Sequence, residues 1–217
     1  MKRLMIVVEG KTEEEFVKEI LKPYFYDLGF YNISAIKIQT RKGYKGGFVN
    51  YAHLKNDVLK LLHEPNTLVT TFVDYFRVPT SLPNFNECSK LSNVTNRIAC
   101  LENSIKADIG FEDRFIPYIQ QHEFESLLFS RSQSFAAYYD MEIVSSIEKI
   151  IEQYDNPEDI NEKPSTSPSN RLLVFIPNFK KATDGILIAL ETGIEIILEK
   201  CPHFRTWIER LVKELDQ

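Results

Sequence analysis

Stretches of unbroken apolar, β-branched residues mark strands buried on both faces, and they recur through the first half of the chain. Leu4 to Val8 is such a run, and it stops at Glu9-Gly10-Lys11. A helix is expected at once, because Thr12-Glu-Glu-Glu15 fits a capping box with the Thr12 hydroxyl and the Glu15 carboxylate as the reciprocal acceptors. Phe16, Ile20 and Leu21 follow at helical spacing, and Gly29 is a C-terminal stop. Ile33 to Ile38 alternates as a second strand. Phe48 to Leu62 sets Phe48, Tyr51, Leu54, Val58 and Leu61 on one helical face. Thr67 to Val73 reads as the third strand, ending at Asp74, and a long helical stretch is expected from about Asn86 to Ile109. Phe115 to Ile119 reads as the fourth strand, running into His122-Glu-Phe-Glu125. Strands and helices in alternation with short links predict an α/β fold with a mainly parallel, doubly wound sheet flanked by helices.

Beyond Ser130 the periodicity changes. Asp155 to Asn170 is rich in Pro, Ser and Asn and reads as a surface loop, while Ile186 to Leu198 and Pro202 to Leu215 read as apolar and amphipathic helices. The expected organisation is an α/β core over residues 1–130 with a helical C-terminal extension over 131–217 packed on it as one structural unit. At 217 residues the chain suits a single domain and leaves no room for an ATPase of its own.

Composition narrows the functional classes. With 43% hydrophobic and 26% charged residues the chain is globular rather than disordered. Its formal net charge of −5 argues against coating nucleic acid by bulk positive charge. That average conceals two opposite regions: residues 37–60 carry a local balance of +5, and residues 141–170 one of −5. Cys88, Cys100 and Cys201 are few and odd in number, so no disulfide framework is expected and a reducing cytoplasm is the natural home. No apolar run reaches the length of a transmembrane helix, and no membrane association is expected.

Ligand and catalytic sites of open parallel sheets form beyond the carboxyl ends of the strands. The predicted strand ends place Glu9, Asp74 and the His122-Glu123-Phe124-Glu125 cluster on that edge. Any one such carboxylate is more often a cap or rim charge, but their coincidence suits the oxygen-rich coordination of Mg²⁺ or Mn²⁺. His122-Glu-Phe-Glu lacks the second histidine of a zinc protease helix, and its bland alternative is a buried His–Glu pair at a corner. On a strand Glu123 and Glu125 share a face, whereas on a helix His122 and Glu125 do. Basic residues supply the counterpart of a phosphodiester: Lys11 beside Glu9, the Arg41-Lys42-Gly-Tyr-Lys45 loop, and Arg171. The basic loop serves equally well as a solvated turn, and Lys180 and Lys181 either hold phosphate or, the favoured reading, pair with the acidic loop of residues 155–162.

The segment Val-Val-Glu9-Gly-Lys-Thr-Glu-Glu-Glu-Phe16 resembles the opening motif of Toprim domains, the catalytic fold of topoisomerases, primases and the overcoming-lysogenization-defect nucleases. The resemblance implies that Glu9 is a metal ligand or general acid/base. That fold usually carries an Asp-x-Asp pair after its third strand; here Asp74 matches the first member and Phe76 replaces the second, so that Glu123 or Glu125 would supply the missing ligand. Further motifs run the length of the chain: Asp74-Tyr-Phe-x-x-Pro79, His122-Glu-Phe-Glu125, Asn156-Pro-Glu-Asp-Ile-Asn161, Pro168-Ser-Asn-Arg171, Lys181-x-x-Asp184-Gly185 and Cys201-Pro-His203-Phe-x-x-Trp207. As a set they resemble the uncharacterised bacterial domain-of-unknown-function family four-two-seven-six, a Toprim-like family.

The family resemblance implies a Toprim-like fold and, more loosely, a phage-defence setting beside an ATPase partner; the three strand-end carboxylates on such a fold lead to the expectation of a metal-dependent nuclease acting on DNA or RNA. Its site would be Glu9, Asp74, Glu123, Glu125 and His122, with the four carboxylates as ligands to Mg²⁺ or Mn²⁺. The alternative class is a non-catalytic nucleic-acid- or nucleotide-binding subunit with a degenerate site, which Phe76 favours.

Overall fold

The structure, a computed structural model, describes residues 2–41, 44–45, 47–76, 78–111, 113–161 and 164–217. Its centre is a parallel sheet in which β1 (Arg3–Val8) lies between β2 (Ile33–Lys37) and β5 (Thr67–Asp74). The register pairs Val8 with Lys37 on one side and with Phe72 on the other, so the carboxyl ends of these strands lie side by side. A small antiparallel pair, β3 (Gln39–Arg41) and β4 (Tyr44–Lys45), follows β2.

The expected fourth strand is split. β6 (Phe115–Ile116) and β7 (Ile119–Gln120) each pair in parallel with β5, separated by Pro117. Proline has no N–H to give to a ladder. Threonine hydroxyls of β5 replace the missing bonds: Thr70 Oγ1 donates to Ile116 O at 2.6 Å, and Thr71 Oγ1 both donates to Tyr118 O and accepts from Tyr118 N at 2.8 Å.

Side chains alternate across the sheet, so each strand feeds two cores. Leu4, Ile6, Val8, Leu68 and Phe72 face one of them. On that side lies the helical run of α1 (Lys11–Phe16), a π turn (Val17–Leu21) and α2 (Lys22–Asp27), which ends before Gly29 (φ 89). Val7, Val69 and Val73 face the other core, against α3 (Tyr51–Leu62) and α5 (Val94–Ile109).

Several helix starts depart from expectation, and hydrogen bonding explains each. The box at α1 is closed by Gly10 and Glu13, not Thr12 and Glu15: Glu13 Oε2 accepts from Gly10 N at 2.8 Å. α3 starts at Tyr51 because Asn50 caps it by accepting from Ala52 N. The stretch from 86 to 109 is two helices, α4 (Phe85–Cys88) and α5, with Asn93 accepting from Thr95 N and Asn96 N as the cap of the second. Cys88 and Cys100, expected as free thiols, are joined by a disulfide that ties α4 to α5. Spacing along the chain concealed this, because the turn between the two helices folds one back on the other. Cys201 is the free cysteine and is buried.

The C-terminal half contributes α6 (Met141–Ile151), α7 (Pro168–Phe175), α8 (Ile186–Thr192), α9 (Ile194–Lys200) and α10 (Pro202–Leu215). The stretch expected as one helix from Ile186 to Leu198 is broken at Gly193, whose φ of 79 is left-handed. The expected loop of residues 155–170 contains short 3₁₀ turns and the first turn of α7, which Pro168 opens. Phe204, Trp207, Ile208 and Leu211 of α10 enter the same core as Leu4, Phe16 and Phe72. Trp207 stacks on Tyr118 at 4.2 Å and donates to Thr70 Oγ1 at 2.8 Å. Glu158 is buried and accepts from His203 N and Phe204 N, covering donors that the start of α10 leaves open. Among the described residues no helix is long and apolar enough to cross a membrane.

Candidate active site

Glu9 directly follows β1, and its carboxylate lies against two backbone donors. Oε1 accepts from Phe48 N at 3.4 Å, and Oε2 from Asp74 N at 3.5 Å. Gly47 N donates to Glu9 O at 2.7 Å, so the segment entering α3 closes over the end of β1. Asp74, the last residue of β5, accepts from Phe124 N at 2.9 Å through Oδ1 and thereby ties the third strand to the His122–Glu125 corner. That corner is also held by the backbone, with Tyr75 N donating to Gln120 O and Phe76 N to His122 O. Gly10 matters by its size: a Cβ there would meet Glu13 Oε2 at 3.2 Å, crowding the carboxylate that folds back onto the loop.

His122 takes φ 63 and Glu123 is extended, after which the chain enters a 3₁₀ segment, Phe124–Ser130. The cluster is therefore neither the continuous strand nor the α-helix considered from sequence. Glu123 Oε2 accepts from Ser169 N at 3.0 Å, at the N-terminus of α7, where the helix dipole also favours a carboxylate. Glu125 is fully buried. Its Oε1 forms an ion pair with Lys181 Nζ at 2.6 Å, and its Oε2 has no hydrogen-bond partner among the described residues. The pairing of Lys181 with the acidic loop at 155–162 is thus corrected: the lysine faces the sheet edge instead.

These groups form one electrostatic cluster. Burial raises the Asp74 pKa well above the usual carboxylate range, and the charges of Glu13, Glu125 and Glu9 push it further. Glu13 is raised to about 7, first by burial and then by Glu9 and Glu125. Burial likewise raises Glu9 and Glu125, against the opposing charge of Lys181. Burial works to lower the Lys181 pKa, but Glu125, Glu123 and Asp74 overcome it and leave the ammonium stabilised. His122 is buried and its pKa is lowered to about 4, so its ring is neutral at physiological pH.

The structure thus brings Glu9, Asp74, Glu123 and Glu125 to one sheet edge and adds Glu13, which sequence reasoning passed over, and Lys181, which it had assigned to the acidic loop. Glu13 had the look of a solvated first-turn acid. Its signal was the Gly10 before α1, three residues upstream, which lets the side chain turn inward. Lys11 is exposed at the start of α1 and forms no ion pair among the described residues. Arg171 lies away from the carboxylates: Nε donates to Thr166 O at 2.8 Å, and the guanidinium reaches Tyr154 through its hydroxyl and ring. Arg41 and Lys45 are placed by their backbone only, in β3 and β4, and Lys42 lies outside the described residues. Other lysines of the basic stretch are engaged, Lys37 with Glu14, Lys55 with Asp108 and Lys60 with Asp57.

The donors are hard oxygens, the type that Mg²⁺ and Mn²⁺ take, and Glu125 Oε2 is buried without a hydrogen-bond partner while Oε1 pairs with Lys181. Among the described residues no three His, Cys, Asp or Glu side chains stand at metal-ligating spacing.

A family model described as "Domain of unknown function (DUF4276)" matches residues 8–212. No curated protein matches the chain. Among solved structures the chain is similar to the C-terminal region of the Burkholderia pseudomallei OLD protein, at 16% identity and a TM-score of 0.49, covering 98% of this chain and 99% of that one. It is similar also to the C-terminal region of the Xanthomonas campestris pv. campestris OLD protein, at 17% identity and a TM-score of 0.47, covering 99% and 92%.

Proposed function

The chain belongs to the DUF4276 family of domains of unknown function, and from that premise we propose that it is a metal-dependent phosphodiester-cleaving enzyme acting on nucleic acid. The observation that carries this reading is the gathering of Glu9, Glu13, Asp74 and Glu125 at the carboxyl edge of a parallel sheet, close enough that Glu9 and Glu125 raise the pKa of Glu13 and all three raise that of Asp74. Mutually repelling acids held together without enough positive charge are costly unless they serve a cation. The Toprim-like motif around Glu9 supports the same reading.

Glu9, Asp74 and Glu125 would hold Mg²⁺ or Mn²⁺, while Glu123 is engaged by Ser169 N. Bound there, the ion would supply Lewis-acid polarisation of the scissile phosphate and acidify an attacking water. Glu13, with a pKa of about 7, is matched to proton transfer at neutral pH. Lys181 keeps nearly half of its side-chain surface open while touching Glu125, so it can offset negative charge on an incoming phosphate. The test is incubation of purified protein and Mn²⁺ with supercoiled DNA, single-stranded DNA and RNA, beside Glu9→Gln and Asp74→Asn. Cleavage lost in both variants supports the proposal; no cleavage by wild type, or cleavage unchanged in the variants, sinks it.

A second reading is a nucleic-acid- or nucleotide-binding subunit without catalysis, favoured by Phe76 at the position of the second acid and by the absence of a preformed three-donor group among the described residues. Binding without cleavage under every metal tried would select it. An ATPase partner and a role in phage defence extend either reading from the motif resemblance. Activity that appears only on co-expression with an ATPase would support that extension, and activity indifferent to one would remove it.

A further inference from the structure

The two edges of the parallel sheet are finished differently. At the β6–β7 edge, Ile119 N donates to Glu102 Oε1 at 2.8 Å and Ile119 O lies 3.1 Å from His203 Nε2, so side chains take up outward backbone groups. The opposite edge is β2. Leu4 N donates to Asn32 O and Ile38 N to Val8 O, so the even-numbered residues turn their backbone toward β1. Alternation then turns the N–H and C=O of Ile33, Ala35 and Lys37 outward. Among the described residues none of these groups has a hydrogen-bond partner. Such an edge is a template for another strand, and β2 lacks the usual deterrents. It has no proline and no bulge, and its one charge, Lys37, is drawn away to Glu14.

Between this strand and the helical run from Lys11 to Asp27 lies an open groove of about 270 Å³. Ile33 and Ala35 give it an apolar lining, and Glu14, Glu15, Lys18 and Lys22 carry its charge. That charge is graded along the strand. The helical run descends while β2 ascends, so Glu14 pairs with Lys37 at the carboxyl end and Lys22 borders the groove toward Ile33 at the other. Lys18, midway, is balanced within its own chain by Glu15 at 3.6 Å and Glu19 at 2.7 Å. The groove is therefore acidic at one end and basic at the other.

A second copy of the chain complements this edge in both respects. Two β2 strands set antiparallel about a two-fold axis at Ala35 exchange backbone hydrogen bonds between Ala35 and Ala35, and between Ile33 and Lys37. The small alanine side chain sits at the axis, where the copies approach most closely. The same axis reverses the groove, so Glu15 at the acidic end of one copy meets Lys22 at the basic end of the other. An unrelated strand could satisfy the backbone groups, but the reversed copy matches the charge grading as well.

We propose that the outer edge of β2 is a self-association surface, through which two copies join into one continuous sheet with their helical runs antiparallel across the axis. The inference is independent of the phosphodiester reading. Its test is sedimentation equilibrium of the full chain from about 1 to 200 µM, because an interface this small belongs to the weak class. Wild type should pass with rising concentration from the mass of one chain to that of two. Ala35→Pro removes an outward N–H without touching the β1 ladder, and it should stay monomeric with an unchanged circular dichroism spectrum. Glu15→Lys and Lys22→Glu should each weaken the dimer roughly tenfold, and the double variant should recover most of that loss. Damage to the fold gives no such rescue, so the charge pair decides the matter even where Ala35→Pro disturbs the strand. A chain monomeric at every concentration, a dimer indifferent to Ala35→Pro, or charge variants whose losses add instead of cancelling, overturns the proposal.

Discussion

Lys181 Nζ stands 2.6 Å from Glu125 Oε1, joining an ammonium nearly half open to solvent to a carboxylate that is 1% exposed. The lysine is the counter-charge of the whole acidic edge, since Glu9, Asp74 and Glu125 all feel it. Removing one partner of a buried pair leaves the other charge uncompensated, at a cost of several kcal/mol when both are buried. Because this ammonium is solvated, Lys181→Met should cost less, about 1–2 kcal/mol in urea unfolding near neutral pH. Adding Glu125→Gln should recover most of the loss. A double variant as weak as the single one would mean that Lys181 does not act as the counter-ion of Glu125.

Glu13 makes the edge pH-sensitive in a defined direction. Its folded pKa of about 7 lies above the ordinary 4.5, so its contribution to stability is fully present below pH 4.5 and is lost as pH rises through about 7. Glu13→Gln keeps an acceptor for Gly10 N and removes the titration. Measured against wild type, the variant should gain stability between pH 4.5 and 8, by up to about 3 kcal/mol. A stability difference that stays flat over this range would refute the assignment.

His203 titrates with the opposite charge but the same pH trend. Burial lowers its pKa, yet Glu102, whose carboxylate lies 3.5 Å from Nε2, together with Glu158 and Ile119 O, raises it overall. The stabilisation is therefore complete below the unfolded value of 6.5 and disappears as pH rises through the elevated folded value. His203→Gln should lose stability relative to wild type below pH 6.5 and approach it at alkaline pH, as read from thermal unfolding across the range. A deficit that grows with pH would reverse the sign and the explanation.

Arg171 was expected to contact phosphate, but its Nε and Nη2 are committed to Thr166 O and the Tyr154 hydroxyl. Arg171→Ala should destabilise the protein by about 1 kcal/mol. The slope of nucleic-acid affinity against salt should not change, whereas loss of a phosphate contact would reduce that slope by roughly one unit. A reduced slope would return Arg171 to the binding surface.

Which parts of this molecule were legible in sequence follows from the range of the forces involved. β1, β2 and β5 were readable because a strand buried on both faces needs a continuous apolar run, and their ends therefore announced Glu9 and Asp74. Strand four was only half readable: Pro117 interrupts it, and the repair by Thr70 and Thr71 is a tertiary event. Glu123 and Glu125 were placed at the right edge, but not their geometry, because His122 turns the chain through a conformation that local pattern does not signal. Glu13 and Glu158 drew no attention, and Lys181 was given the wrong partner, because charged residues on helices and loops read as solvated faces. Glu13 folds back on Gly10 N within its own first turn, whereas Lys181 and Glu158 reach partners distant in sequence. The Cys88–Cys100 bridge depended likewise on how α4 folds back on α5.

The central claim is that the acidic edge exists to hold a divalent cation, and calorimetric titration of Mn²⁺ into the metal-free protein at pH 8 tests it most directly. Saturable binding is predicted for wild type, lost in Asp74→Asn and Glu9→Gln, and weakened as pH falls below about 7, where Glu13 takes up a proton. Absence of binding, or binding that survives both substitutions unchanged, would contradict the account.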